Sequence, residues 1–264
     1  MSEIHSIMII SETPGKLTCP YCGGEKFVMA ISSGNTIRGE VWSDTRHYYP
    51  MLPHYSTIQQ CPTCTRYFYF QDGNFEMTKT VAVNGIQVPV EWPSFRWRWR
   101  GEEDPEKRPE MMATKAIRDK IHEQVLKNRF GDLTYAELAD ARKDVLTGDV
   151  SDERKEEYLL LYLYAYNDAK VGRVRSVKEN IPEEYNELFR KCASYLIDIF
   201  GEKRAITAEL WRELGEFDKC IEICEILLAE GIEGCIVKQI LEHARIRDID
   251  PFLLVFDEAR SFPK

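Results

Sequence analysis

The sequence has 264 residues, of which 44% are hydrophobic and 30% are charged. This balance excludes a disordered chain and suits a globular protein of two domains. No apolar run approaches the ~20 residues that cross a bilayer. The apolar patch at 7–10 has no basic residue before it, unlike a signal peptide. The sequence therefore predicts a cytoplasmic protein with no membrane partner.

The net charge of -9 is concentrated in one half of the chain. Residues 1–100 contain nine Lys or Arg and eight Asp or Glu, whereas residues 101–264 contain 26 and 36. An acidic C-terminal half is a poor electrostatic match for nucleic acid and suits contact with proteins. The nearly neutral N-terminal half leaves nucleic-acid binding open.

Residues 1–100 contain two paired cysteine motifs, Cys19-Pro20-Tyr21-Cys22-Gly23 and Cys61-Pro62-Thr63-Cys64. Each spacing lets a tight turn aim two sulfurs at one point, and two such turns supply the four-sulfur tetrahedron that zinc prefers. A closed shell leaves no position for substrate, so the sequence predicts one structural zinc held by Cys19, Cys22, Cys61 and Cys64. A redox pair is the alternative, but Gly23-Gly24 disfavours the helix that such a pair opens. In the second motif, Thr65 occupies the position that Gly23 occupies in the first. A glycine would be favoured at this position, because the turn needs a positive φ.

The 38 residues between the motifs contain Ser33-Gly34-Asn35-Thr36, Trp42-Ser43-Asp44 and Met51-Leu52-Pro53. With the flanking cysteine pairs, this series resembles a bacterial family of uncharacterised zinc-ribbon proteins, over about residues 19–70 and more loosely beyond. The resemblance implies a zinc ribbon followed by helices. It implies no activity, because none is established for that family.

The insertion, residues 31–54, has two interpretations. It is rich in turn formers that hydrogen-bond locally, which is typical of a structural loop. Loops on a rigid scaffold also carry function, and aromatic side chains among polar ones are typical of interfaces. The second interpretation predicts a binding surface made of Asn35, Thr36, Trp42, Asp44, Arg46 and His47.

A run of alternating aromatic and basic residues, Phe95–Arg100, ends the N-terminal half. As a strand it would place its arginines on one face, and Arg96, Trp97 and Arg98 could contact bases and phosphates. The plainer interpretation is a strand that buries its aromatic side chains. Residues 101–110 are charged, contain two prolines and have no apolar residue, which predicts a linker.

Residues 111–264 have helical periodicity throughout, with predicted helices at about 111–129, 134–147, 152–171, 182–200, 203–214, 217–230, 232–246 and 250–258. Thr134 and Glu137 form a capping-box pattern at the start of the second helix. Residues 208–222 resemble the middle of a tetratricopeptide hairpin, with a Gly-acidic-aromatic turn at 215–217. No 34-residue repeat accompanies it, so an ordinary helical hairpin is the alternative.

The sequence thus predicts an α+β protein: a small β zinc-ribbon module at 1–100, a linker at 101–110 and an all-α helical-hairpin domain at 111–264. Its five histidines are scattered, and no phosphate loop or nucleophile elbow is present. We therefore interpret it as a non-catalytic zinc-binding protein that acts as an interaction or adaptor module for another protein. The alternatives are a nucleic-acid-binding zinc ribbon and an enzyme that uses the 31–54 insertion.

Overall fold

The structure, a computed structural model, describes residues 11–33, 39–49, 57–77, 80–83, 86–89, 133–173, 178–201, 204–232 and 234–256. The chain divides into two compact units. The first comprises Met1–Thr36 and Met51–Asp132, and the second comprises Ile37–Pro50 and Leu133–Lys264. The predicted strand at Phe95–Arg100, the linker at 101–110 and the helix at 111–129 lie outside the described residues.

The first unit contains antiparallel β-strands, as the predicted fold class requires. Strands β1 (Ser11–Thr18), β2 (Glu25–Ser33) and β7 (Asn74–Met77) form a three-stranded sheet with β1 in the centre. Three further elements are the hairpin of β5 (Ile58–Gln60) and β6 (Tyr67–Tyr69), the hairpin of β8 (Thr80–Val83) and β9 (Ile86–Pro89), and a 3-10 turn at Phe70–Asp72.

A small apolar core holds this unit together around its cysteines. Leu17 and Phe68, 0% and 1% exposed, pack with Val28 against Cys19 and Cys61. Each cysteine pair occupies the loop of a hairpin, the first between β1 and β2 and the second between β5 and β6. The hairpins therefore place both loops against one core.

The second unit contains six described helices: α1 (Tyr135–Val145), α2 (Asp152–Val171), α3 (Glu183–Phe200), α4 (Ala205–Glu213), α5 (Phe217–Ala229) and α6 (Gly234–Arg245). The predicted capping box is confirmed, because Thr134 accepts from the Glu137 N–H and the Glu137 carboxylate accepts from the Thr134 N–H. No helix in the described part of the chain is both long and apolar enough to cross a bilayer.

Consecutive helices of this unit bury continuous apolar stripes. Helices α4, α5 and α6 share a core of small and branched side chains that includes Ala208, Cys220, Leu227 and Ile240, all without exposed surface. Helix α2 buries a stripe built largely of tyrosines, in which Tyr158, Tyr162 and Tyr166 are joined by Leu159 and Leu163. The hydroxyl groups of these tyrosines donate to Leu138, Tyr185 and Asn186.

Part of the long insertion belongs to the helical unit. The sequence assigns residues 31–54 to the zinc module, whereas the structure groups Ile37–Pro50 with the helices. Residues 39–49, called the strap below, contain the two short strands β3 (Glu40–Val41) and β4 (His47–Tyr48). The strap pairs with residues 251–256, called the tail, through a bridge between Trp42 and Leu253.

The tail corrects the prediction of a last helix at 250–258. The described residues of this span, 251–256, form no helix, because their backbone bonds to the strap and Leu253 makes an isolated bridge with it. The Ser43 N–H donates to the Phe252 carbonyl at 2.9 Å, and the Leu254 N–H donates to the Val41 carbonyl at 2.9 Å.

Candidate metal centre

The four predicted cysteine ligands lie together. The sulfurs of Cys19, Cys22, Cys61 and Cys64 are all within 4.8 Å of one another. The Sγ atoms of Cys19 and Cys64 are 3.8 Å apart, and those of Cys22 and Cys61 are 3.6 Å apart. A tetrahedron with zinc–sulfur bonds of about 2.3 Å has sulfur–sulfur edges of about 3.8 Å. The four thiols therefore match a tetrahedral site for one metal ion, plausibly zinc.

The two cysteine loops have the same backbone design. In the first, the Cys19 N–H donates to the Gly24 carbonyl at 2.8 Å and the Gly23 N–H donates to the Cys19 carbonyl at 3.0 Å. In the second, Cys61 and Arg66 form the first bond at 2.9 Å, and the Thr65 N–H donates to Cys61 at 3.0 Å. Each hairpin strand pair thus leads into a closed six-residue loop that fixes the directions of its two sulfurs.

Both loops turn through a residue with positive φ. Gly23 has φ +71° and Thr65 has φ +60°. Glycine adopts this region freely, whereas a β-branched residue is strained there. The second loop therefore keeps the same shape as the first, although it has threonine in place of glycine. The positive φ of Thr65 costs backbone energy.

Backbone N–H groups surround the sulfurs and stabilise their thiolate forms. Tyr21 donates to the Cys19 sulfur at 3.4 Å, Gly24 to Cys22 at 3.3 Å, and Thr63 to Cys61 at 3.4 Å. Burial disfavours the thiolate of Cys61, but hydrogen bonds from the Cys64 and Thr63 N–H groups and from the Cys22 and Cys64 thiols together outweigh it and lower the pKa of Cys61 to about 6. Burial raises the pKa of Cys19. The Gly24 N–H lowers the pKa of Cys22, but hydrogen bonds to the other thiols and burial raise it to about 12. A thiolate is the form that binds metal.

Lys26 is a neighbour of this site that the sequence interpretation missed. Its ammonium donates to the Gln59 side chain at 2.7 Å and to the Gln60 carbonyl at 3.4 Å, directly before Cys61. Burial lowers the pKa of Lys26 to about 8, and the nearby Cys61 thiolate opposes that shift. Four thiolates with one divalent ion carry a charge of about -2, so a half-buried cation beside them reduces the charge of the site.

The residues predicted to form a binding surface differ in their location and in their exposure. Trp42, Asp44, Arg46 and His47 belong to the strap, in the helical unit. Asn35, Thr36, Arg96, Trp97 and Arg98 lie outside the described residues. His47 is exposed, Trp42 and Arg46 are half-buried, and Asp44 has no exposed surface. Binding by the insertion stays a prediction, but the Asp44 side chain is occupied within its own unit.

Arg173 and Asn167 are the side chains that occupy Asp44. Arg173 donates from Nη1 to Oδ1 at 3.0 Å and from Nη2 to Oδ2 at 2.5 Å, and the Asn167 amide donates to Oδ2 at 2.9 Å. Gly172, with φ +72°, ends α2 and reverses the chain, so that Arg173 follows the helix end directly. The guanidinium of Arg173 also lies 5.0 Å from the centre of the Trp42 ring. No local sequence signal links these residues to Asp44.

Neighbouring strap residues reinforce this attachment. The Thr45 and Tyr164 hydroxyl groups are 3.0 Å apart. The Arg46 guanidinium lies 5.1 Å from the centre of the Tyr164 ring and 3.7 Å from the Asp168 carboxylate. The Ser43 hydroxyl accepts from the Phe252 N–H at 3.0 Å. The strap is therefore bound through both its backbone and its side chains.

Comparisons of the chain with protein-family models, with curated proteins and with solved structures find no match. The resemblance to bacterial zinc-ribbon proteins and to a tetratricopeptide hairpin therefore stays a prediction. The feature of this chain that its geometry defines is a four-thiol site for one metal ion, held by two matching hairpin loops.

Proposed function

We propose that this chain is a non-catalytic zinc-binding protein that recognises another protein. The observation that carries the metal half is the closed set of four sulfurs within 4.8 Å of one another. Four thiolates complete the shell of a tetrahedral zinc ion, which makes the metal structural and couples its binding to the folding of the small β unit.

The helical unit supports the second half of the proposal. Helix α5 exposes the acids Asp218, Glu222 and Glu225 and also Ile226, which is 42% exposed. The exposed Lys219 of the same helix pairs with Glu216 at 3.4 Å. An apolar side chain on a helix that exposes several acids suits a partner with a basic, amphipathic surface. The tetratricopeptide-like turn between α4 and α5 is consistent with this role, since such hairpins present helix faces to partners.

The test combines metal analysis with partner capture. Protein purified without added metal should contain about one zinc per chain, as one four-thiolate site requires. Cross-linked partners should be captured by the natural protein and lost by a Glu222→Lys, Glu225→Lys variant of the same fold. If the natural protein and the variant capture the same partners at equal zinc content, α5 does not form the binding face.

Nucleic-acid binding is the second candidate, and one observation favours it. Tyr21 is exposed on the first cysteine loop, and the Arg66 guanidinium lies 3.6 Å from its ring centre. An exposed aromatic ring beside a cation can stack on bases and approach phosphates. Absorbance at 260 nm that co-purifies with the protein and is removed by salt would favour this candidate over the first.

A further inference from the structure

The helical unit buries a group of ionisable side chains that the metal site does not use. Each is at most 6% exposed: Asp44, Asp168, Arg173, Glu209, Arg212 and Glu213. Charges are removed from water only when a partner compensates them, because isolated buried ions are strongly disfavoured. The partner of each carboxylate therefore has to be identified.

Three of the four carboxylates have arginine partners. Asp44 accepts both terminal nitrogens of Arg173, and Asp168 accepts from Arg173 Nε and lies 3.7 Å from Arg46. Glu209 accepts twice from Arg212, at 2.6 and 2.8 Å. The remaining Arg212 donors bind the backbone carbonyls of Asp248 and Asp250. Arg173 and Arg212 thus bind these carboxylates and carbonyls, and Arg46 adds a third positive charge beside Asp168.

Glu213 is the fourth carboxyl group, and among the described residues its hydrogen bonds are to an amide and not to an arginine. Both of its oxygens accept from Nδ2 of Asn167, at 3.2 Å each, and the same nitrogen donates to Asp44 at 2.9 Å. One neutral amide thus bridges two acids. The group has four buried carboxyl groups, the two buried arginines and the half-buried Arg46. If all seven side chains are ionised, one negative charge within this group stays uncompensated.

We propose that Glu213 carries a proton when the strap is attached, and that loss of this proton loosens the strap from the helical unit. Ionised Glu213 would place a second full negative charge across one amide from Asp44, with all three side chains buried. Repulsion then acts on the strap, because Asp44 is the strap residue that enters this group. The protonated form removes the charge and keeps the shape.

The electrostatics of the site agree with this assignment. Burial raises the pKa of Glu213 well above its usual range, and the charges of Glu209 and Asp44 raise it further. Arg212 and the Asn167 hydrogen bond act in the opposite direction. The ionisable groups that act on Glu213 are Asp44 from the strap, Tyr166 from α2, and Glu209 and Arg212 from α4. Arg173 and Asp168 at the end of α2 are linked to it through Asp44, and Asp248, which lies before the tail and pairs with His243 of α6, is linked to it through Arg212.

The sign of the pH effect follows from that raised pKa. Between the usual pKa of the carboxyl group, 4.5, and its higher value in the fold, the folded state binds a proton that the unfolded state has lost. Stability from this group is therefore complete below 4.5 and falls as the pH rises towards the folded pKa. Above that value the loss is complete and the contribution no longer changes.

The experiment compares the natural protein with Glu213→Gln, which copies the protonated shape without a titrating group. Helical circular dichroism should give a higher Tm for the variant, by a margin that grows about 3 °C per pH unit upwards from pH 5. At pH 9 the strap amides of the variant should exchange with deuterium more slowly than those of the natural protein. The exposed Glu222→Gln is the matched control and should leave the pH dependence of Tm unchanged.

A direct measurement keeps the proposal testable if the variant folds poorly. The infrared C=O stretch of a protonated carboxylic acid should be present in the natural protein at pH 7 and absent from Glu213→Gln. An absent band, or a Tm difference that stays constant with pH, would overturn the proposal. So would a Tm that depends on sodium or potassium and not on pH, because a bound cation would then compensate the charge.

Discussion

Arg173 holds both carboxylate oxygens of Asp44, a residue 129 positions earlier in the chain, in a pair whose side chains are 1% and 0% exposed. This contact lies within the helical unit and attaches the strap, which comes from between the two cysteine pairs in the sequence, to the end of α2. Buried ion pairs of this kind matter most when one member is removed, because the other is left as an uncompensated buried charge.

Asp44→Ala should therefore destabilise the helical unit by about 3–5 kcal/mol, the usual cost of an uncompensated buried charge. The zinc content should not change, because the cysteines belong to the other unit. Thermal melting followed by helical circular dichroism measures the first effect, and metal analysis measures the second. Asp149→Ala, at an exposed site in the same unit, is the control. Equal melting of the two variants would show that the pair contributes little.

A fragment of residues 133–264 should be less stable than the helical unit in the full chain, because it leaves Arg173 and Asn167 without Asp44. Fusing residues 37–50 to its amino terminus through a flexible Gly/Ser linker should restore the Tm. Carrying Asp44→Ala in the fused segment should abolish that gain. If the fragment and the fusion have the same Tm, the strap is not part of the fold of this unit.

Cys61→Ser should remove one of four zinc ligands and lower the zinc content from about one ion per chain to well below it. The β unit should unfold with the metal, since its core is small. Cys235→Ser, at an exposed cysteine outside the cluster, should keep both metal and fold. Inductively coupled plasma analysis gives the metal content. Full zinc occupancy in Cys61→Ser would contradict the four-ligand site.

Thr65→Gly should tighten zinc binding by about threefold. It relieves a positive φ that costs a side-chain-bearing residue about 1–2 kcal/mol, partly offset by the greater chain entropy of glycine. Gly23→Ala should weaken binding, and nothing within 4 Å would obstruct the added methyl group, so the change isolates backbone strain. Competition with a chromophoric chelator measures both. Changes of the same sign in the two variants would refute the strain argument.

Lys26→Met should speed the loss of zinc to a chelator, because it removes the half-buried positive charge beside the four thiolates. Lys16→Met is the matched control, since Lys16 pairs with Glu25 at 2.6 Å on the same sheet. Lys26→Arg should restore slow release if charge is what counts. Release at the natural rate from Lys26→Met would mean that Lys26 only supports the Gln59 side chain and the Gln60 backbone.

Local signals in the sequence predicted the local structure. The spacing of Cys19, Cys22, Cys61 and Cys64 predicted their cluster, and the Thr134–Glu137 pattern predicted a helix start, because each depends on residues within one turn or on one metal's geometry. The helical periods placed α1 to α6 to within two or three residues, since buried stripes repeat along each helix.

Long-range contacts were beyond such reasoning. Nothing near Asp44 in the sequence indicates that Arg173 will face it, and nothing near Pro251 shows that a strap will pair with the tail. The polar, turn-rich character of the insertion is equally typical of a loop on the surface. Its burial depends on partners contributed by α2, α4 and the tail, which no local pattern specifies.

The place of the strap in the chain also sets an order of events during synthesis. Residue 44 leaves the ribosome 129 positions before residue 173, a delay of roughly ten seconds at ordinary elongation rates. Cys64 emerges soon after the strap, so zinc can close the segment between the two cysteine pairs long before α2 exists. The nascent chain then contains a loop closed by the metal, in which Asp44 has no ion-pair partner until Arg173 is synthesised. The helical unit can complete its fold only after that residue has left the ribosome.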